Sequence, residues 1–118
     1  TVHRSRGYDI FNERLKMVIL IDGGTASASE ILAGALREHD VATLIGTNSF
    51  GKGSVQELIK ITPDTSLKVT IAQWLTPNGN SISAGGLKPD IEVKSADKNP
   101  GPQNDTQMKR AVEFLLEK

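Results

Sequence analysis

The 118-residue chain contains no cysteine, which excludes disulfides, thiolate metal sites and a cysteine nucleophile. It also lacks any apolar run approaching the ~18–20 residues that span a bilayer. Its charge has no preferred sign: 14 Lys and Arg balance 14 Asp and Glu, so no bulk field favours nucleic acid or an anionic membrane. Histidine is scarce. His3 sits in a mixed, charged stretch, and His39 lies beside Asp40 near a helix end, where a cation suits the helix dipole. Neither makes a persuasive partner in a Ser-His-Asp arrangement. No spacing of His and carboxylates points to a metal. No leader is visible, since no apolar stretch follows Thr1-Val2-His3-Arg4, and a start at Thr1 suggests a fragment or a processed product. What remains is one small domain with a modest core.

What is present is a change of hydrophobic period along the chain. Residues 1–15 are charged and mixed and read as a surface arm. Lys16 to Ile21 is a short continuous apolar run, the pattern of a strand buried on both faces. Asp22-Gly23-Gly24 ends it. From Ser27 the period becomes helical, with Ile31, Leu32, Ala35 and Leu36 as the apolar stripe and Glu30, Arg37 and Glu38 off it. Val41 to Gly46 is a second buried strand, and strand–helix–strand in this span predicts a βαβ unit with a parallel sheet. Residues 54–61 and 66–75 alternate as antiparallel strands about a Thr62-Pro63-Asp64-Thr65 turn. A short strand is expected at Ile91-Glu92-Val93, then a polar linker over 94–104. Asp105 caps a last helix whose apolar face is Met108, Ala111, Val112, Leu115 and Leu116.

Two segments carry chemistry. Gly23-Gly24-Thr25-Ala26-Ser27-Ala28-Ser29-Glu30 places a serine at the mouth of the helix. Ser27 and Glu30 fit a capping box that satisfies free amides there. The same geometry also suits a nucleophile: a tight strand-to-helix turn projects the hydroxyl outward, and the Ala28 amide behind it can stabilise an oxyanion. The glycines supply the unusual backbone angles such a turn needs. Thr25 and Ser29 are competing hydroxyls. Phe50-Gly51-Lys52-Gly53-Ser54-Val55-Gln56 places a lysine in a glycine-flanked turn. To act as a base Lys52 must be neutral when it attacks, which burial can bring about, and Phe50 with the glycines offers a dry setting. Gln56 can orient the amine without adding negative charge. Gly46 to Gly53 also matches a phosphate-binding loop at all but its last position. Gly53 replaces the magnesium-holding hydroxyl, however, and no helical stripe follows. Trp74 reads as core or groove wall.

These residues, in this order, resemble the C-terminal processing peptidases, or tail-specific proteases. Residues 23–31 look like that family's nucleophile turn and 46–56 like its lysine segment. Leu75-Thr76-Pro77-Asn78-Gly79 and Gly86-Leu87-Lys88-Pro89-Asp90-Ile91 are similar to its later loop and strand. The resemblance covers about residues 17–93. It implies Ser27 as nucleophile, Lys52 as general base, Gln56 as its positioner and Ala28 as oxyanion donor, with 25 residues from Ser27 to Lys52 as in the family. It further implies a crotonase/ClpP-like α/β core, peptide-bond hydrolysis through an acyl-enzyme without metal or cofactor, and protein or peptide substrates. The implied organisation is the C-terminal part of a protease catalytic domain (1–93), a linker and a helix (105–118), without the family's PDZ domain or its upstream glycine-rich segment. The parent is expected to be periplasmic or otherwise extracytoplasmic, with possible membrane proximity. A catalytically silent structural or peptide-binding module is the alternative.

Overall fold

The computed structural model describes residues 2, 4, 7, 15–83, 85–95, 101 and 103–117. The surface arm over 1–15, with His3 in it, falls almost entirely outside the described residues, as does most of the 94–104 linker.

The apolar run forms strand β1 (Met17–Ile21), and the chain then turns into helix α1 (Ala28–Glu38) and returns as β2 (Ala42–Gly46). β1 and β2 pair in parallel, Met17 opposite Ala42 through Ile21 opposite Gly46, which is the expected βαβ unit. Two strands follow, β3 (Ser54–Lys60) and β4 (Ser66–Gln73), paired antiparallel as the alternation predicts. The short β5 (Ile91–Glu92) joins the other side of β2 in parallel, giving the order β1-β2-β5. Helix α2 (Thr106–Leu116) opens on Asp105, whose carboxylate accepts from the Met108 N–H at 2.9 Å. α2 packs against β1 and β2.

The core forms where α1 covers the three-stranded sheet. Ile21, Ala33, Leu44, Ile82 and Leu87 make one buried cluster. In β2 the successive residues Leu44 and Ile45 are both fully buried, so this central strand is covered on both faces. β1 is not: it is an edge strand, and only Ile21 along it is buried.

The amphipathic stripes differ from expectation in both helices. In α1 the buried positions are Glu30, Ala33 and Gly34, while Leu32 is exposed. The reason is a polar one, because Glu30 has partners from a distant segment that outweigh its charge. In α2 the docking residue is Ala111, with Lys16 Nζ 5.1 Å from the centre of the Phe114 ring. Met108, Val112, Leu115 and Leu116 face away and are exposed.

Candidate active site

The turn between β1 and α1 is built by Asp22. Its Oδ1 accepts from the N–H groups of Gly24 at 2.8 Å and Thr25 at 3.1 Å, and the Thr25 hydroxyl accepts from the Asp22 N–H. The Thr25 oxygen is therefore committed to the turn. Thr25 and Ser29 both line a different, apolar hollow between β1 and α1.

Ser27 is the N-cap of α1, with φ 60° and ψ −120°. The glycines before it were expected to absorb the unusual angles. Instead Gly23 and Gly24 keep negative φ, and the serine itself carries the strain. Among the described residues the other non-glycine position with positive φ is Asp40, just past the helix end, where aspartate tolerates it. A β-carbon at Ser27 has no such excuse, and conformations of this kind cost ~1–3 kcal/mol and persist where surrounding bonds impose them.

The bonds that impose it converge on Glu30, which is 0 % exposed. Its Oε2 accepts from the Ser27 N–H at 2.9 Å and the Lys52 N–H at 2.9 Å. Its Oε1 accepts from the Ser49 hydroxyl at 2.5 Å and the Gly51 N–H at 2.6 Å. Burial alone would push this carboxyl up, but the Ser49 hydroxyl and the amides of Gly51, Ser27 and Lys52 outweigh it and hold the group below the usual glutamate range. One carboxylate thus ties the backbone of the serine turn to the backbone of the lysine turn. The half of the capping box visible in sequence was the local Ser27–Glu30 bond. The other three donors lie 19 to 22 residues further on, where helical spacing carries no signal.

Further bonds lock the lysine turn. The Phe50 N–H donates to the Thr25 carbonyl at 2.9 Å, and the Leu87 N–H donates to the Ser49 hydroxyl at 2.7 Å. Gly51 (φ 88°) and Gly86 (φ 77°) cross so closely that a β-carbon on Gly86 would lie 2.4 Å from the Ser49 carbonyl oxygen.

Ser27, Lys52 and Gln56 line one groove of about 400 Å³, with Trp74 and Val55 as its apolar side and Lys68 as a second cation. Trp74 is the groove wall rather than core. Ala28 opens the helix, and its N–H has no partner among the described residues. The groove is open: Lys52 is exposed, and Phe50 is 65 % exposed, so the dry setting expected for the amine is absent. The cause is the β3–β4 hairpin, which no other layer covers among the described residues. No hydrogen bond joins the Ser27 hydroxyl to Lys52 among the described residues, and Gln56 Nε2 donates to Thr70 Oγ1 at 3.5 Å. His39 is the exposed C-cap of α1 and does not line the groove. The phosphate-loop reading fails on geometry. Residues 46–53 lead into strand β3, and the Gly51 and Lys52 amides that would cradle a phosphate already hold Glu30. Among the described residues no cluster of three His, Cys, Asp or Glu could hold a metal, and no helix is long and apolar enough to cross a membrane.

Comparison with known proteins shows the family of the chain. Residues 2–93 match Peptidase family S41. The carboxy-terminal-processing protease of Bartonella bacilliformis is 51 % identical over 86 residues, covering 73 % of this chain and 20 % of that protein. The carboxy-terminal processing protease CtpB of Bacillus subtilis is 47 % identical over 79 residues, covering 67 % of this chain and 16 % of that protein. Among solved structures, the photosystem II D1 C-terminal processing protease superposes with a TM-score of 0.60 at 38 % identity, over 66 % of this chain and 20 % of that one. The chain thus spans about a fifth, or less, of the length of these relatives.

Proposed function

The chain belongs to peptidase family S41, and on that premise we propose that it carries the reacting residues of a serine endopeptidase that hydrolyses peptide bonds of proteins selected by their C-terminal tails. In this reading Ser27 Oγ attacks the scissile carbonyl and Lys52 takes its proton. The Ala28 amide, at the positive end of α1, steadies the oxyanion. Lys52 then gives the proton to the leaving amine, and water resolves the acyl-enzyme. Gln56 swings from Thr70 to orient the lysine. The observation that carries the reading is the backbone of Ser27, held at φ 60° and ψ −120° on the groove that Lys52 also lines. A serine that only capped a helix would sit in an extended conformation and need no such strain.

The openness of the groove supports a second element of the proposal, that this part needs the remainder of a longer catalytic domain to close over Lys52 and supply tail recognition. A periplasmic or otherwise extracytoplasmic location of the longer protein is part of the same proposal. The exposed Lys52 and the Gln56–Thr70 bond favour the rival reading, a silent peptide-binding module. Hydrolysis of an unstructured peptide separates the two. Full-length protein bearing these residues should cleave it, and Ser27→Ala or Lys52→Ala should each lower turnover by at least about 10³-fold with unchanged thermal unfolding. Retained turnover in Ser27→Ala overturns the assignment. Robust Ser27-dependent cleavage by residues 1–118 alone overturns the need for the remainder.

A further inference from the structure

The groove holds a charge that the proposed chemistry does not use. Lys68 lines it together with Ser27 and Lys52, and among the described residues Lys68 has no ion-pair or hydrogen-bond partner. Strand register explains why none is near. Gln56 pairs with Thr70, Leu58 with Lys68 and Lys60 with Ser66, so these pairs share one face of the hairpin. Gln56 and Lys68, two residues of this face, both line the groove. Glu57, the sole acid in β3 and β4, pairs with Val69 and therefore projects from the opposite face. Among the described residues no carboxylate lines the groove.

Along this face the cations are regularly placed. Each step of two residues advances about 7 Å. Lys68 lies one step beyond the Gln56–Thr70 pair, and Lys60 lies one step further. An extended peptide running along the hairpin presents alternate side chains at the same spacing. Its carboxylate is the anion this geometry suits. A phosphate site would require converging amides or a guanidinium fork, and the Gly51 and Lys52 amides beside the groove already hold Glu30.

We propose that Lys68 is a specificity-determining residue that takes a carboxylate of the peptide lying in the groove, drawn from an acidic side chain or from the peptide's own C-terminus. The inference rests on the reading of this groove as a peptide-cleavage site, yet its test needs no cleavage. Trp74 is the sole tryptophan in the chain and part of the groove wall, so its emission reports occupancy directly.

The experiment titrates residues 1–118 with four N-acetylated heptapeptides: one with a central glutamate and one with glutamine, each with a free or an amidated C-terminus. Trp74 fluorescence is the readout. The wild-type chain should bind a carboxylate-bearing peptide about fivefold more tightly than the amidated glutamine peptide. The preference should vanish in about 0.5 M salt and in Lys68→Gln, and Lys68→Arg should restore it. Whether the side-chain or the terminal carboxylate gives the preference identifies the source. Equal binding of all four peptides, no change in emission with any, or a preference that survives Lys68→Gln overturns the proposal. The two readings fail separately: a Lys68-dependent preference together with hydrolysis indifferent to Ser27→Ala removes the catalytic assignment and leaves the carboxylate site standing.

Discussion

Between Ile21 and Ile45 the chain buries Ile21, Ala33, Ala42, Leu44 and Ile45 around α1, and Leu44 and Ile45 have no exposed surface. Between Ser54 and Gln73 it buries none: Leu58 is 69 % exposed, Ile71 57 % and Leu67 54 %. The strands of both regions are made of good strand formers, so propensity does not separate them. Cover does. The parallel sheet has a helix against it, whereas the hairpin is a two-stranded ribbon with no second layer, and such ribbons are marginal alone. The division also runs through the candidate site. Ser27 and the backbone of Lys52 belong to the packed region through Glu30, while Gln56, Lys68 and Trp74 belong to the ribbon. The turn that carries the candidate nucleophile is thus tied to the packed region, whereas Trp74 on the groove wall is exposed.

The largest test of this division is Glu30→Ala. It leaves four donors, from Ser27, Ser49, Gly51 and Lys52, without their acceptor in a buried site. Each orphaned group costs ~1–3 kcal/mol less whatever water recovers, so a loss of about 3–5 kcal/mol is expected in thermal or urea unfolding. A loss below about 1 kcal/mol would show that the two turns hold their places independently. Protonation probes the same contact more gently. Because the folded Glu30 carboxyl lies below its usual range, its contribution is present above the unfolded pKa and is lost as pH falls through the lower, folded value. Wild-type stability should decline on acidification below about pH 4.3, and the decline should be shallower in Glu30→Gln.

The division was only half legible in the sequence. The β1–α1–β2 unit could be read because the period switches at Asp22 and again at Val41, and the hairpin because Pro63 and Asp64 break two alternating runs. Asp105 marked its helix start by the same local logic. What escaped was whatever depends on a distant partner. Glu30 reads as the capping-box partner of Ser27, but nothing in its neighbourhood reveals the further donors at Ser49, Gly51 and Lys52. Alternation announced the strands of the hairpin but could not say whether a layer would cover them. In α2 the apolar spacing of Met108, Ala111, Val112, Leu115 and Leu116 pointed to a buried face, and of these only Ala111 is buried. For the site, Ser27 and Lys52 stood out through the glycines around them, and they do line one groove. The strain sits on the serine, where no residue type announces it.

A test of intermediate size addresses that strain. Ser27→Gly retains the backbone bonds to Glu30 and removes the β-carbon that objects to φ 60° and ψ −120°. Relief of ~1–3 kcal/mol is offset by ~0.5–1 kcal/mol of added unfolded-chain entropy, so a net gain of about 1 kcal/mol is expected, read as a raised midpoint in urea. Ser27→Ala keeps the β-carbon and should gain nothing. Equal stability of the two variants would mean that the turn is unstrained in solution, and the argument from backbone to nucleophile would go with it.

The smallest expected effect is the most exacting for the comparison itself. Leu44→Ala should lose about 2–5 kcal/mol, as buried leucines do. Leu58→Ala, at a position with most of its surface in water, should change stability by no more than about 0.5 kcal/mol. A leucine contributes through the apolar area it withdraws from solvent, and Leu58 withdraws little. A loss above about 1.5 kcal/mol at Leu58 would mean that its surface is covered in solution after all, by a second copy or by another part of a longer chain. Repeating the measurement over a hundredfold range of protein concentration distinguishes these, because only cover by a second copy strengthens with concentration.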